Sequence, residues 1–196
     1  MTNPPQHLLG GLEVAILVAP GSPPEHLQAA RTSLEELGVN VHVLGPERGP
    51  LHDQRIEVAK ALASADPDAY DGAVVIADLL GAKRLAGRRE ALAFLARLDE
   101  QDKPVAALGD GVLPVLVAGL AQSRGVSTPA GLMALAEGAG AVIADERVAV
   151  DGNLMSVRDA ADLAEFNAQL KAMLARRRQA TLSIGSDIGS AVGEDG

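Results

Sequence analysis

The stretch "PVAALGDGVLPVL", residues 104–116, decides the fold. Its first half, "PVAAL", is a short apolar run and reads as a buried strand. From Val112 the chain turns apolar again and reads as a helix over 112–121. Gly109, Asp110 and Gly111 form the corner between them. Chains that turn this sharply from strand to helix often hold a nucleophile at the corner, as in the G-x-S-x-G elbow. None of these three residues is a nucleophile of the usual kind. The sequence builds the corner of an active site and leaves out the reactive side chain.

Working outward, the same strand-then-helix rhythm recurs on both sides. "LEVAILVA" (12–19), "VNVHVLG" (39–45) and "GAVVIA" (72–77) read as buried strands. After the first, Ser22 has the character of an N-cap, with prolines in the first turn and Glu25 completing a capping box. Leu27, Ala30, Leu34 and Leu37 follow at helical spacing, and Gly38 closes the helix. Residues 87–100 form a helix with Leu92, Leu95 and Leu98 on one face, and 130–138 another. "GAVIA", "RVAV" and "NLMSV" are short strands separated by turns. The last helix runs from about Asp159 to Ala175, with Leu163, Phe166, Leu170, Met173 and Leu174 in register. "LLGAKRLAG" (79–87) reads as a loop and helix start; its glycines do not have the spacing of a phosphate-binding loop. Alternating strands and helices imply βαβ units around a largely parallel sheet.

Composition narrows the function classes. Apolar residues make up 47% of the 196, but aromatics only 2%, so the core is built from Ala, Val, Leu and Ile. Few aromatics and a net charge of −9 argue against a nucleic-acid partner. There is no cysteine, which excludes disulfides, thiolate metal sites and cysteine catalysis in this chain. "MTNPPQHLLGG" lacks the features of a signal peptide, and no apolar run is long enough to cross a membrane. The expectation is a soluble cytoplasmic protein. Residues 1–11 are expected to be a flexible lead, 12–175 one α/β domain, and 176–196 a mobile tail. Arg176, Arg177 and Arg178 suit the last turn of a helix that ends there.

Taken together, the segments resemble the ThiJ/PfpI superfamily, which shares its fold with the class I glutamine amidotransferases. "VAILVAPG" is similar to that family's first strand and loop, and "DPDAYDGAVVIA" to its Asp-Tyr-Asp lead-in and central strand. "KPVAALGDG" stands where the family has Lys-Pro-Val-Ala-Ala-Ile-Cys-His-Gly. "DGNLMSVRDAADL" resembles its Asp-Gly-Asn-Leu-Val-Thr-Ser-Arg stretch, inside a similar C-terminal third (125–170). The resemblance implies a three-layer α/β/α sandwich, flavodoxin-like, with a mostly parallel sheet, and it implies a homodimer.

The same resemblance implies that the chemistry has gone. Gly109 stands at the nucleophilic cysteine and Asp110 at the neighbouring histidine. The family's acidic helper falls at His26, and the Pro-Gly-Gly of its oxyanion hole becomes Ile76, Ala77 and Asp78. The residues that carry deglycase, glyoxalase or peptidase activity in the family have changed together. Glycine adopts the strained conformation of the elbow at little steric cost, so Gly109 keeps the corner without the nucleophile. "AALGDG" is also similar to the C-terminal domain of large-subunit catalases.

Each polar residue near the corner carries two readings. Asp110 is a carboxylate favoured by a helix start, or a ligand or base in the old pocket. His26, Asp78 and Asp110 would converge there, where one histidine and two carboxylates could hold a divalent cation; no recognised spacing supports a metal. Ser127 and Thr128 precede Pro129 beside the pocket and read as turn formers rather than nucleophiles. His7, His42 and His52 stand alone, with His42 expected to face solvent or an interface. The expected function is a non-catalytic binding or structural module, in the stress-response setting of many relatives. It needs no cofactor, and its pocket, with His26, Asp78, Gly109, Asp110 and Thr128, holds a small molecule. The alternative is a cysteine-independent hydrolase or lyase using Asp110, Asp78 and His26. A third reading, by analogy with the catalase domain, is a partner of a larger enzyme.

Overall fold

Residues alternate in and out along each central strand, and the alternation sorts the core into two layers. The computed structural model describes residues 9–51 and 55–190, with 182–190 given as backbone helix. In chain order the elements are β1 (Glu13–Leu17), α1 (Pro24–Glu35), β2 (Asn40–Gly45), β3 (Gly49–Leu51), β4 (Ile56–Val58), β5 (Lys60–Ala61), β6 (Gly72–Ile76), α2 (Leu79–Ala86), α3 (Arg89–Glu100), β7 (Val105–Leu108), α4 (Val112–Val117), β8 (Gly125–Val126), α5 (Met133–Gly138), β9 (Val142–Ile143), β10 (Val148–Asp151), β11 (Leu154–Val157) and α6 (Leu163–Ser190). Seven strands form one sheet in the order β10-β11-β7-β6-β1-β2-β5. Every neighbouring pair is parallel except β10 with β11. β3 and β4 form a separate antiparallel pair, and β8 and β9 a separate parallel one.

On one face, Val14, Ile16, Val74, Ile76, Ala106 and Leu108 pack under α1 and α6. On the other, Ala15, Leu17, Ala73, Val75, Val105 and Ala107 pack under α2, α3, α4 and α5. The period of two that puts successive side chains on opposite faces accounts for both sets. Each layer receives one of the two phenylalanines, Phe166 in the first and Phe94 in the second, both buried. The expected flavodoxin-like three-layer sandwich is the architecture observed.

Several local expectations need correcting. α1 starts at Pro24 behind Pro23, and no side chain caps it. Ser22 is fully buried instead: its Oγ donates to the carbonyl of Ile76 at 2.6 Å and accepts from the N–H of Ala19 at 3.0 Å. It ties the loop after β1 to the end of β6. The segment 79–87 is a full helix, α2, with Asp78 as its N-cap. The helix expected over 112–121 is α4 only to Val117, followed by turns. The packed chain begins before residue 12, because Leu9 is fully buried and its N–H donates to the carbonyl of Leu37. Residues 1–8, including His7, and His52 lie outside the described residues.

α6 runs on to Ser190, so Arg176, Arg177 and Arg178 sit within the helix rather than at its end. Extending an anchored helix needs no new nucleus, which offsets the glycines along this stretch. The expected tail is therefore helical through residue 190, and only 191–196 lie outside the description. No helix among the described residues is long and apolar enough to cross a membrane.

The closest approach of a glycine to backbone lies at the corner. A Cβ on Gly111 would stand 2.5 Å from the carbonyl oxygen of Val75, whereas a Cβ on Gly109 would meet nothing within 4 Å. Gly111→Ala is expected to lose about 1–3 kcal/mol by overpacking. Gly109→Ala loses about 1–2 kcal/mol, for its backbone conformation alone. Urea denaturation of the two variants checks both values and their order.

Candidate functional site

In an open parallel sheet, ligands bind beyond the carboxyl ends of the strands where the chain order reverses. Here the reversal falls between β1 and β6, since β2 lies to one side and β7 and β11 to the other. The crevice directly between β1 and β6 is closed. Ser22 bridges it, and the N–H of Asp78 donates to the carbonyl of Gly21 at 3.1 Å. The open space is displaced toward β7 and β11, whose ends lie side by side with Val157 opposite Leu108.

A cleft of about 310 Å³ occupies that space. It is lined by His26 from the first turn of α1, Asp78 after β6, Gly109 and Asp110 after β7, and Arg158 and Asp159 after β11. Four of the five residues expected from the sequence are therefore brought together. Thr128 is not on the lining: it is buried one residue behind Pro129, which is, and its Oγ1 has no hydrogen-bond partner. Ser127 is spent on structure, donating from Oγ to the carbonyl of Arg147 at 2.9 Å.

Gly109 has φ +57°, a left-handed conformation that side chains rarely adopt. The corner thus keeps the strained geometry of a nucleophile elbow. The space above it is open, so a side chain there would project without a clash. Gly109–Gly111 form a single 3-10 turn that leads into α4.

Asp78 is engaged as a cap, its Oδ1 accepting from the N–H of Gly81 at 2.8 Å. Asp110 is in the opposite situation to the helix-start reading. Burial pushes its carboxyl above the ordinary value, the charge of Asp78 adds to the push, and only the N–H of Leu79 opposes it. Burial and the neighbouring charge thus outweigh the hydrogen bond from the start of α2.

His26 is half-buried, while Glu25 beside it is exposed, so the histidine is the one that faces the cleft. Among the described residues no hydrogen bond joins His26 to either aspartate, and no group of three or more His, Asp and Glu is placed to hold a metal ion. His42, expected at solvent or an interface, pairs with Glu13 at 2.5 Å and meets Tyr70 edge-on.

Arg158 and Asp159 were not among the expected residues. The guanidinium of Arg158 donates to the carbonyls of Ala144 and Asp145 at 3.2 and 3.3 Å, and Asp159 caps the turn after β11 by accepting from the N–H of Ala161 at 2.7 Å. No local spacing marks them. They reach the cleft because β11 is the neighbour of β7 in the sheet.

Comparison with known proteins gives a consistent picture. The model of the DJ-1/PfpI family matches residues 13–173. A protein named deglycase from Thermococcus kodakarensis is 29% identical over 155 residues, covering 78% of this chain and 93% of that protein. A second protein named deglycase, from Pyrococcus horikoshii, is 28% identical over 133 residues, 66% of this chain and 80% of that one. Among solved structures, oxidised DJ-1 of Toxoplasma gondii superposes with a TM-score of 0.75 at 19% identity, covering 91% of this chain and 98% of that chain. A two-domain protein of Anabaena variabilis with DJ-1/ThiJ/PfpI-like and ferritin-like domains gives 0.77 at 24% identity over 83% of this chain; the chain spans 49% of that protein's length. At these identities the structural likenesses bear on the fold.

Because the native carboxyl of Asp110 titrates above its unfolded value near 3.8, the native state holds the proton more tightly. The stability this gives is present in full at low pH and is lost as pH rises through the raised native value. Asp110→Asn removes that loss. Its melting temperature is expected to exceed that of the parent at neutral pH, with the difference vanishing below the ordinary carboxylate value. Paired thermal melts between about pH 3 and pH 7 check the crossover.

Proposed function

Since the chain belongs to the DJ-1/PfpI family, whose model spans residues 13–173, we propose that it uses the family's corner as a small-molecule binding site without cysteine chemistry. One observation carries this reading: the elbow conformation is retained at Gly109, φ +57°, in a chain with no cysteine at all. The cleft holds polar groups that recognise a ligand without needing a nucleophile. Asp110 accepts hydrogen bonds when ionised and donates one when protonated. His26 and Asp78 also line the cleft. The ligand this suits is small and rich in hydrogen-bond donors. In this reading the protein works as a cytoplasmic homodimer in a stress response, and docking on a larger enzyme, as the resemblance to the catalase domain implies, is a further use of the same module.

A second reading has one observation in its favour. A carboxyl in a cleft with its pKa raised by burial is what a general acid needs, so a cysteine-independent hydrolase or lyase would centre on Asp110. The two readings part on turnover. Both require that Asp110→Asn folds and loses ligand, but only an enzyme consumes it.

A thermal-shift panel of small carbonyl compounds, amino acids, nucleotides and divalent metals tests the binding reading. A ligand at a hundred times its dissociation constant adds about 2.7 kcal/mol to stability. The expected result is a shift in the parent that Asp110→Asn abolishes. A panel without any shift overturns the reading. Product analysis of the same mixtures by mass spectrometry decides between binder and enzyme.

Gly109→Cys provides a separate check of the lost chemistry. The introduced thiol has room, but Asp78 and Asp110 beside it oppose its ionisation. Its alkylation by iodoacetamide at neutral pH is expected to be no faster than that of free cysteine. Faster alkylation would mean that the corner still activates a thiol.

A further inference from the structure

A second cleft, of about 440 Å³, lies at the other end of the sheet. It sits between α6 and the segments that lead into β7 and β11, and Asp102, Asn153, Arg176 and Arg177 are among its lining. The polar groups around it do not balance. The Nε of Arg177 is buried with no hydrogen-bond partner, and its Nη1 reaches only the carbonyl of Gln101, at 3.5 Å. A buried donor left unpaired is costly, and such groups in folded proteins ordinarily have a partner.

Most of the neighbouring side-chain acceptors are committed elsewhere. Asp99 is committed to Arg124 at 2.8 and 3.3 Å. Asn153 is fully used: its Nδ2 donates to Asp99 and to the carbonyl of Lys103, and its Oδ1 accepts from Arg124. Asp68 is occupied by Arg97 and by the Nε2 of Gln101. The Oε1 of Gln101 is itself buried and unpaired. Behind the cleft, Lys103 is 6% exposed and donates to the carbonyls of Pro67 and Asp68. Its pKa is pushed down first by burial and then by the charge of Arg177, while the carboxylates of Asp68 and Asp71 oppose the shift. Asp102 is the one carboxylate on the lining, against two guanidiniums.

We infer that this cleft is a second binding site, which takes the oxyanion of a small phosphate- or carboxylate-bearing molecule on Arg177 and Arg176. The planar guanidiniums of Arg176 and Arg177 on the lining match the two-oxygen edge that both groups present. The anion accepts from them and offsets their charge, which Asp102 balances only in part. This site is separate from the corner cleft and does not depend on what the corner binds.

The test is calorimetric titration of the full chain at constant ionic strength with inorganic phosphate, glycerol phosphate and succinate, with chloride as the reference. Saturable binding of at least one oxyanion over chloride is expected. The phosphate probes and succinate distinguish the two sources by which binds more tightly. Arg177→Gln is expected to weaken binding by about tenfold or more, and Asp110→Asn to leave it unchanged. Arg176 is exposed, so Arg176→Gln keeps the fold and decides the matter if Arg177→Gln does not fold; a loss of about threefold is expected there. Equal responses to chloride and the oxyanions overturn the site, as does undiminished binding in both arginine variants. The latter would mean that the Nε of Arg177 is satisfied by the side chain of Gln101 alone.

Discussion

The approach of Gly111 to the carbonyl of Val75 fixes the architecture around the corner. With no room for a Cβ, the start of α4 lies directly on the central strand β6. The chain leaving β7 must then turn back within the single 3-10 turn of Gly109–Gly111, and that requires the left-handed φ at Gly109. Asp110 is carried over β6 toward the start of α2, where Leu79 donates to it and Asp78 repels it. One steric constraint in the backbone thus sets both the strained corner and the raised carboxyl. The geometry survives in this chain without the side chain for which such corners are usually built, because the packing of α4 on β6 demands it.

The sheet and its two core layers were legible in the sequence, since they rest on local periodicity. "VAIL" and "AVVI" alternate faces whatever the rest of the chain does, and parallel strands buried on both sides read as continuous apolar runs. What could not be read was set by distant partners. Ser22 and Glu25 have the form of a capping box, but the Ser22 hydroxyl finds a better partner in Ile76, far along the chain. In α2, Gly81 sits against the loop after β1, where a Cβ would stand 3.2 Å from the backbone of Gly21. The loops after β1 and β6 pack too closely for anything larger.

The site divided along the same line. His26, Asp78, Gly109 and Asp110 were found through an ordered series of segments that carries the family's geometry. Arg158 and Asp159 escaped because the order of strands in the sheet, rather than any spacing, brings them to β7. Thr128 was placed beside the pocket by the family resemblance, and one residue of offset puts it behind the wall that Pro129 lines. At Asp110 two effects compete. A helix start favours a carboxylate by a few tenths of a kcal/mol to about 1 kcal/mol. Burial beside a second carboxylate works against it, and in this cleft burial prevails.

The linings of the two clefts differ in charge balance. The carboxyl end gathers Asp78, Asp110 and Asp159 about its cleft, and the amino end gathers Arg176, Arg177 and the buried Lys103. The four residues of β7 between them span roughly 13 Å. Both clefts open to water, where interactions between charges are screened over about 8 Å at physiological ionic strength. Charge placed at one end is therefore only weakly felt at the other. A chain with net charge −9 repels anions at long range, so an anion site needs concentrated local positive charge, and the amino end supplies it. The corner needs no such concentration, because its surplus of carboxylates already agrees in sign with the molecule. The two clefts therefore differ in the sign of the charge on their linings while sharing the strand that runs between them.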